Sequence, residues 1–160
     1  METQNVSKLV NSFGASVLSV GQSVGLSVIL DKGAIGPGVN APGSRAAALI
    51  GFVGGGLQGT VAIMIDGNAF DGFVTAMSGG LLKADLDDPV ALSVLGELTN
   101  MVSGQAIMKL GVQGLDITPP QIITGENIKS VPSKSEGVRN FTLPFHVNDG
   151  RLFLVLTIHS

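Results

Sequence analysis

Cysteine is absent from all 160 residues. That excludes disulfides, thiolate metal sites and a cysteine nucleophile together. Charge is scarce as well: charged side chains make up 13% of the chain, with a formal net charge of −3 and no basic run. Nucleic acid is therefore not an expected partner. Long hydrophobic runs are missing, although 44% of the residues are hydrophobic. The longest uninterrupted apolar stretches, around Ala46–Val53 and Val61–Ile65, fall far short of the ~20 residues a membrane-spanning helix needs. Glycine, with 23 copies, breaks up the rest. No secretory signal is read either, because Met1-Glu2-Thr3-Gln4-Asn5 has no basic region and no apolar block ends in a small-residue cleavage site. These absences predict a soluble, cytoplasmic protein with no membrane partner. Sparse charge beside so much apolar side chain also predicts that part of the surface is covered by another chain.

A length of 160 residues suits a single domain (1–160) with one sizeable core. Val6, Leu9, Val10, Phe13, Val17, Val20 and Val24 recur at three- and four-residue steps and predict an amphipathic first helix. Leu26–Leu30 reads as a short strand, and the glycine- and proline-rich stretch Asp31–Ser44 as a mobile loop. Two β-compatible runs, Arg45–Val53 and Leu57–Asp66, flank Gly54-Gly55-Gly56 and predict an antiparallel hairpin. The triple glycine is not a phosphate loop, since neither Lys-Ser/Thr nor a helix follows it.

Asn68–Met77 reads as a short helix stopped at Gly79-Gly80. Asp85, Asp87 and Asp88 before Pro89 suit the start of a second helix, which runs to Leu110 and stops near Gly111. The same aspartates lack calcium-loop spacing, so capping is the better account of them. Asp116–Thr124 reads as a strand entered through Pro119-Pro120, and Glu126–Glu136 as a polar connection. Val138–Val147 and Leu152–His159 then meet at Asn148-Asp149-Gly150, a closing hairpin. The predicted class is α+β: a largely antiparallel sheet with helices packed on a face. His146 and His159 occupy ordinary strand positions without metal-ligand company, so no metal site is predicted. Covalent catalysis has no support, because no serine is read in a Gly-x-Ser-x-Gly elbow and no base is identifiable beside any serine or threonine.

The helix over 89–110 carries the most specific chemistry. At about 100° per residue, Ser93, Glu97, Asn100 and Gly104 fall within roughly 60° of one another. They make a narrow stripe of hydroxyl, carboxylate, amide and gap. Leu95, Leu98, Met101, Val102 and Met108 are assigned to the core-facing side. A polar stripe on an amphipathic helix is ordinarily a solvated face, and Glu-x-x-Asn alone is a short, common pattern. The surrounding text is more specific. Gly-Glu-Leu-Thr-Asn-Met-Val-Ser-Gly-Gln-Ala (96–106), followed by Leu-Asp-Ile-Thr-Pro-Pro-Gln-Ile-Ile-Thr-Gly (115–125), resembles the signature region of the CheX chemotaxis phosphatases. These belong to the CheC/CheX/FliY group, which removes phosphate from the response regulator CheY.

The resemblance runs from about Gly51 to Gly125 and implies an α+β fold of this family. It maps the Ser/Asp-x-x-x-Glu-x-x-Asn motif onto Ser93, Glu97 and Asn100, in a single copy as in CheX. Glu2-Thr3-Gln4-Asn5 also fits Glu-x-x-Asn, but lacks the glycine found four residues after Asn100, and is read as chance. The interval from Asn100 to Pro120 is slightly shorter than in the family. The implied activity is a phosphatase acting on a phosphorylated CheY-like receiver, with Asn100 and Glu97 catalytic and with Ser93 and Gly104 contacting the partner. The implied chain holds no cofactor or metal of its own; Mg²⁺ sits on the receiver. The resemblance also implies a homodimer joined through sheet edges, either near Ile117–Ile123 or at the terminal hairpin. The alternative from another functional class is a non-catalytic adaptor that docks a receiver domain in a two-component pathway.

Overall fold

The structure, a computed structural model, describes residues 2–128 and 137–159. In chain order the elements are α1 (Glu2–Ser23), β1 (Val28–Leu30), β2 (Gly36–Pro37), β3 (Ala46–Gly54), β4 (Leu57–Ile65), α2 (Gly67–Met77), α3 (Pro89–Leu110), β5 (Asp116–Ile117), β6 (Gln121–Thr124), β7 (Val138–Val147) and β8 (Gly150–His159). The strands form one sheet in the order β1-β7-β8-β4-β3-β5, with β2 also on β7 and β6 also on β3. Every pairing is antiparallel.

Period-two alternation decides which face is buried. Ala48, Ile50 and Phe52 of β3, Val61 and Ile63 of β4, Leu152, Leu154 and Leu156 of β8, and Leu143 and Phe145 of β7 all enter one core. All three helices cover that face. They contribute Leu9, Phe13 and Val17 from α1, Phe70 and Phe73 from α2, and Leu95, Leu98 and Val102 from α3. Phe13 reaches down to Phe52, their ring centroids 6.5 Å apart. On the opposite face a smaller cluster of Ala47, Met64, Phe153 and Val155 lies under Val39, Ala41 and Ile128.

Turn chemistry sets the hairpins. Gly55 and Gly56, both at positive φ (58° and 83°), make the two-residue turn between β3 and β4 that the right-handed strand twist prefers. In the closing hairpin Asn148 takes the positive φ (51°). Gly150 is needed for a different reason: a Cβ there would meet the Ala69 backbone nitrogen, with Asn68 C and Asp66 Oδ1 at 2.8 Å. Asp66 sits over this contact as the N-cap of α2. Its Oδ1 accepts from Ala69 N (2.9 Å) and its Oδ2 from Arg151 N (3.0 Å).

Four expectations are corrected. The strand over 116–124 is two short strands, because prolines at 119 and 120 cannot donate to the ladder; both pieces still pair with β3. The predicted mobile loop over 31–44 is tied down. Lys32–Ala34 forms a 3₁₀ turn, Gly36–Pro37 pairs with β7, and the Asn40 backbone N–H donates to Thr142 Oγ1 (3.2 Å). The first strand is limited to Val28–Leu30. The terminal hairpin is not a free edge, since β8 lies between β7 and β4, and β7 is covered by β1 and β2. Most of the predicted polar connection over 126–136 lies outside the described residues.

Candidate active site on helix α3

Helix α3 starts and stops where its sequence dictates. Asp88 is the N-cap and accepts from Val90 N at 3.0 Å, Pro89 follows it, and Gly111 closes the helix in the left-handed conformation (φ 65°). The capping role expected for the aspartates is thus carried by Asp88, while Asp85 Oδ1 accepts from Asp87 N at 2.9 Å in the preceding turn. The helix has 22 residues, a rod of about 33 Å.

One flank of the rod (Ala91, Leu98 and Val102) enters the core, and α3 lies along α1. The other flank meets β6 and the segment before it. A Cβ added to Gly96 would sit 3.3 Å from both Ile122 Cδ1 and Pro120 Cγ. Pro120 is therefore a packing residue that seats this end of the sheet on α3.

The predicted stripe is present. Ser93 and Glu97 are exposed, and Asn100 and Gly104 are half-buried. Glu97 and Asn100 lie one turn apart, about 4.5 Å along the axis. Ser93 Oγ donates to its own helix at Val90 O (2.6 Å). Among the described residues no hydrogen bond or ion pair engages the side chain of Glu97 or Asn100. The carboxylate and the amide are available to a partner, and Glu97 is the only charged residue between Asp88 and Lys109.

The other side of the helix needs correcting. Met108, assigned to the core, is 82% exposed, and Met101 is only half-buried. By the 100° step both lie within about 40° of Glu97, on the outer stripe. Two polar residues passed over by the helical reading are buried instead. Thr99 donates to Leu95 O at 2.8 Å, while the Ser103 Oγ has no partner. Their angular positions, well away from Glu97, were the available signal.

The expectation that no serine has the Gly-x-Ser-x-Gly spacing is corrected at Gly21-Gln22-Ser23-Val24-Gly25. Ser23 closes helix α1 rather than a strand-to-helix turn, and its Oγ donates to Val20 O (2.7 Å). That geometry, and not a missing spacing, excludes a nucleophile elbow at Ser23. No group of three or more His, Asp or Glu side chains among the described residues is arranged to hold a metal ion. No helix among them is long and apolar enough to cross a membrane.

Helix α3, capped and seated on an antiparallel sheet, thus presents an unpartnered pair of an exposed Glu97 and a half-buried Asn100. The family model described as chemotaxis phosphatase CheX matches residues 46–146, a span that holds the whole stripe. The chain belongs to the CheX family. The CheY-P phosphatase CheX of Thermotoga maritima is 39% identical over 77 residues, which is 47% of this chain and 49% of that relative. The chain thus matches about half the length of this curated relative. The crystal structure of chemotaxis protein CheX from Vibrio vulnificus superposes with a TM-score of 0.76 at 25% identity, covering 94% of this chain and 99% of that one. The CheX-CheY-BeF3-Mg²⁺ complex from Borrelia burgdorferi has the same fold, with a TM-score of 0.70 at 22% identity over 94% of this chain and 97% of that one.

Proposed function

We propose that this chain is a phosphatase for a CheY-like response regulator, working as one domain on the phosphoaspartate of the receiver. The observation that carries the reading is the Glu97/Asn100 pair: one helical turn apart, facing outward, and unengaged by the chain's own residues. Membership of the CheX family and the Thermotoga maritima relative named a CheY-P phosphatase support it. In the hydrolysis, water attacks phosphorus in line, the aspartyl carboxylate leaves, and inorganic phosphate is released. Such a transfer is governed by positioning and electrostatics. An amide suits the positioning, because Asn100 both donates to and accepts from a water without changing protonation. Glu97 pairs with the receiver's lysine and sets the depth of docking. Ser93 and Gly104 border these two and meet the same partner. Mg²⁺ belongs to the receiver, as the Borrelia burgdorferi complex of a CheX with CheY, BeF3 and Mg²⁺ supports by analogy.

The reading includes a cytoplasmic homodimer. The edge formed by β5 and β6 exposes Ile117 and Ile123, and the β1 edge exposes Ile29; unpaired edges bearing apolar side chains suit strand pairing across a two-fold axis. Light scattering at micromolar concentration checks this, and a monomer removes it.

The deciding experiment follows the decay of a phosphorylated CheY-type receiver with Mg²⁺, with and without catalytic amounts of this chain. Acceleration is expected. Binding without acceleration would replace the phosphatase with a receiver-docking adaptor.

A further inference from the structure

We infer that Gly104, flanked by Met101 and Met108, is a docking notch for an apolar side chain of the receiver, beyond the contact that Glu97 makes. The inference rests on the phosphatase reading and adds a recognition element to it. Glycine is a poor residue inside a helix, so one there ordinarily has a packing or backbone reason. Gly104 has neither. Its backbone is helical, and a Cβ built on it meets nothing within 4 Å. Gly96, two turns earlier, differs: there Pro120 and Ile122 occupy the space a side chain would need. The room left at Gly104 opens outward.

Its neighbours on the stripe say what fits. Met108, one turn on, is 82% exposed, and Met101, one turn back, is half-buried. Two flexible thioether side chains beside bare backbone make an adaptable apolar recess. No charge lies between Glu97 and Lys109, so an ionic group is not what this part of the helix recognises. The notch is continuous with the Glu97/Asn100 pair: Gly104 lies one turn past Asn100 and about 10 Å along the axis from Glu97. The receiver's contributing side chain should therefore project about 10 Å from the lysine that meets Glu97, taking the same rise per residue.

The test compares Gly104→Ala, Met108→Gln and Asn100→Ala with the wild-type chain. Thermal unfolding is measured together with steady-state dephosphorylation of the phosphorylated receiver in Mg²⁺. Gly104→Ala should raise Tm by about 2–4 °C, because helix propensity improves and nothing clashes. The same variant should raise KM about tenfold while kcat stays within twofold. Met108→Gln should raise KM about five- to tenfold through loss of an apolar contact. A purely structural glycine cannot stabilise the fold and weaken docking in one substitution. An unchanged KM in Gly104→Ala, or a lowered Tm, overturns the notch. So does a change of oligomeric state in that variant, which would give the recess to a second copy of the chain. Failure of the underlying reading looks different. Without acceleration by the wild-type chain, both ideas fall; if Asn100→Ala abolishes acceleration and Gly104→Ala leaves KM untouched, only the notch falls.

Discussion

Replacing Asn100 with alanine separates catalysis from folding, because the structure gives this amide no internal work. Asn100 is half-buried and no described residue bonds its side chain, so truncation leaves no buried donor or acceptor stranded. Asparagine is also a weaker helix former than alanine, by a few tenths of a kcal/mol, and the position lies inside α3, away from both caps. Stability should therefore hold or rise slightly, with Tm shifting upward by no more than about 2 °C. The rate should behave in the opposite way. If Asn100 holds the attacking water only as the transition state forms, its loss resembles removal of one preorganised donor, about 10²-fold in kcat or more. That corresponds to about 2.7 kcal/mol of transition-state stabilisation. The assay is the decay of a phosphorylated receiver under single-turnover and steady-state conditions, with circular dichroism of the same preparations. A rate within about twofold of wild type is too small for a lost transition-state contact and refutes the reasoning. A large fall in both rate and Tm refutes it too, by showing that Asn100 is structural.

Glu97→Ala should raise KM at low ionic strength by about tenfold, the loss of one charge-assisted contact. Raising salt should narrow the gap, since an exposed pair is screened; a gap that salt leaves unchanged would refute a lysine contact. Ser103→Ala removes a buried hydroxyl that has no partner, so urea unfolding should show unchanged or slightly greater stability. Destabilisation beyond about 1 kcal/mol would reveal a hydrogen bond worth keeping. Gly150→Ala should cost about 1–3 kcal/mol or more, because the new methyl presses on the backbone that starts α2. A Tm equal to wild type would show that this junction gives way freely.

Much of the fold was legible because the local signals were paired with local stops. The bounds of α3 follow from Asp88, Pro89 and Gly111, each with a mechanism visible in the chain. The β3–β4 hairpin follows from two apolar runs about a triple glycine, and its turn needs the positive φ that Gly55 and Gly56 supply. What was not legible depends on partners distant in sequence. The segment 31–44 looks like free loop by composition, yet Thr142, far along the chain, accepts from the Asn40 backbone and Gly36–Pro37 joins the sheet. The closing hairpin gives no hint that β8 ends up between β7 and β4, so its standing as an edge could not be judged from its own residues.

The site divides along the same line. Helical spacing is enough to put Ser93, Glu97, Asn100 and Gly104 on one side, since a single turn links each to the next. The inward assignment of Met101 and Met108 follows their apolar chemistry and departs from that spacing. The 100° step places both beside Glu97, and the 82% exposure of Met108 agrees with that angle. Angle, and not hydrophobicity, decides their side of the helix. A methionine kept in water next to an unpartnered carboxylate and amide is unfavourable for the isolated chain. Docking of the proposed receiver would make it favourable, because burial against a partner removes the same apolar surface from water. On the proposed reading, the two methionines and the empty space at Gly104 join Glu97 and Asn100 in one docking face.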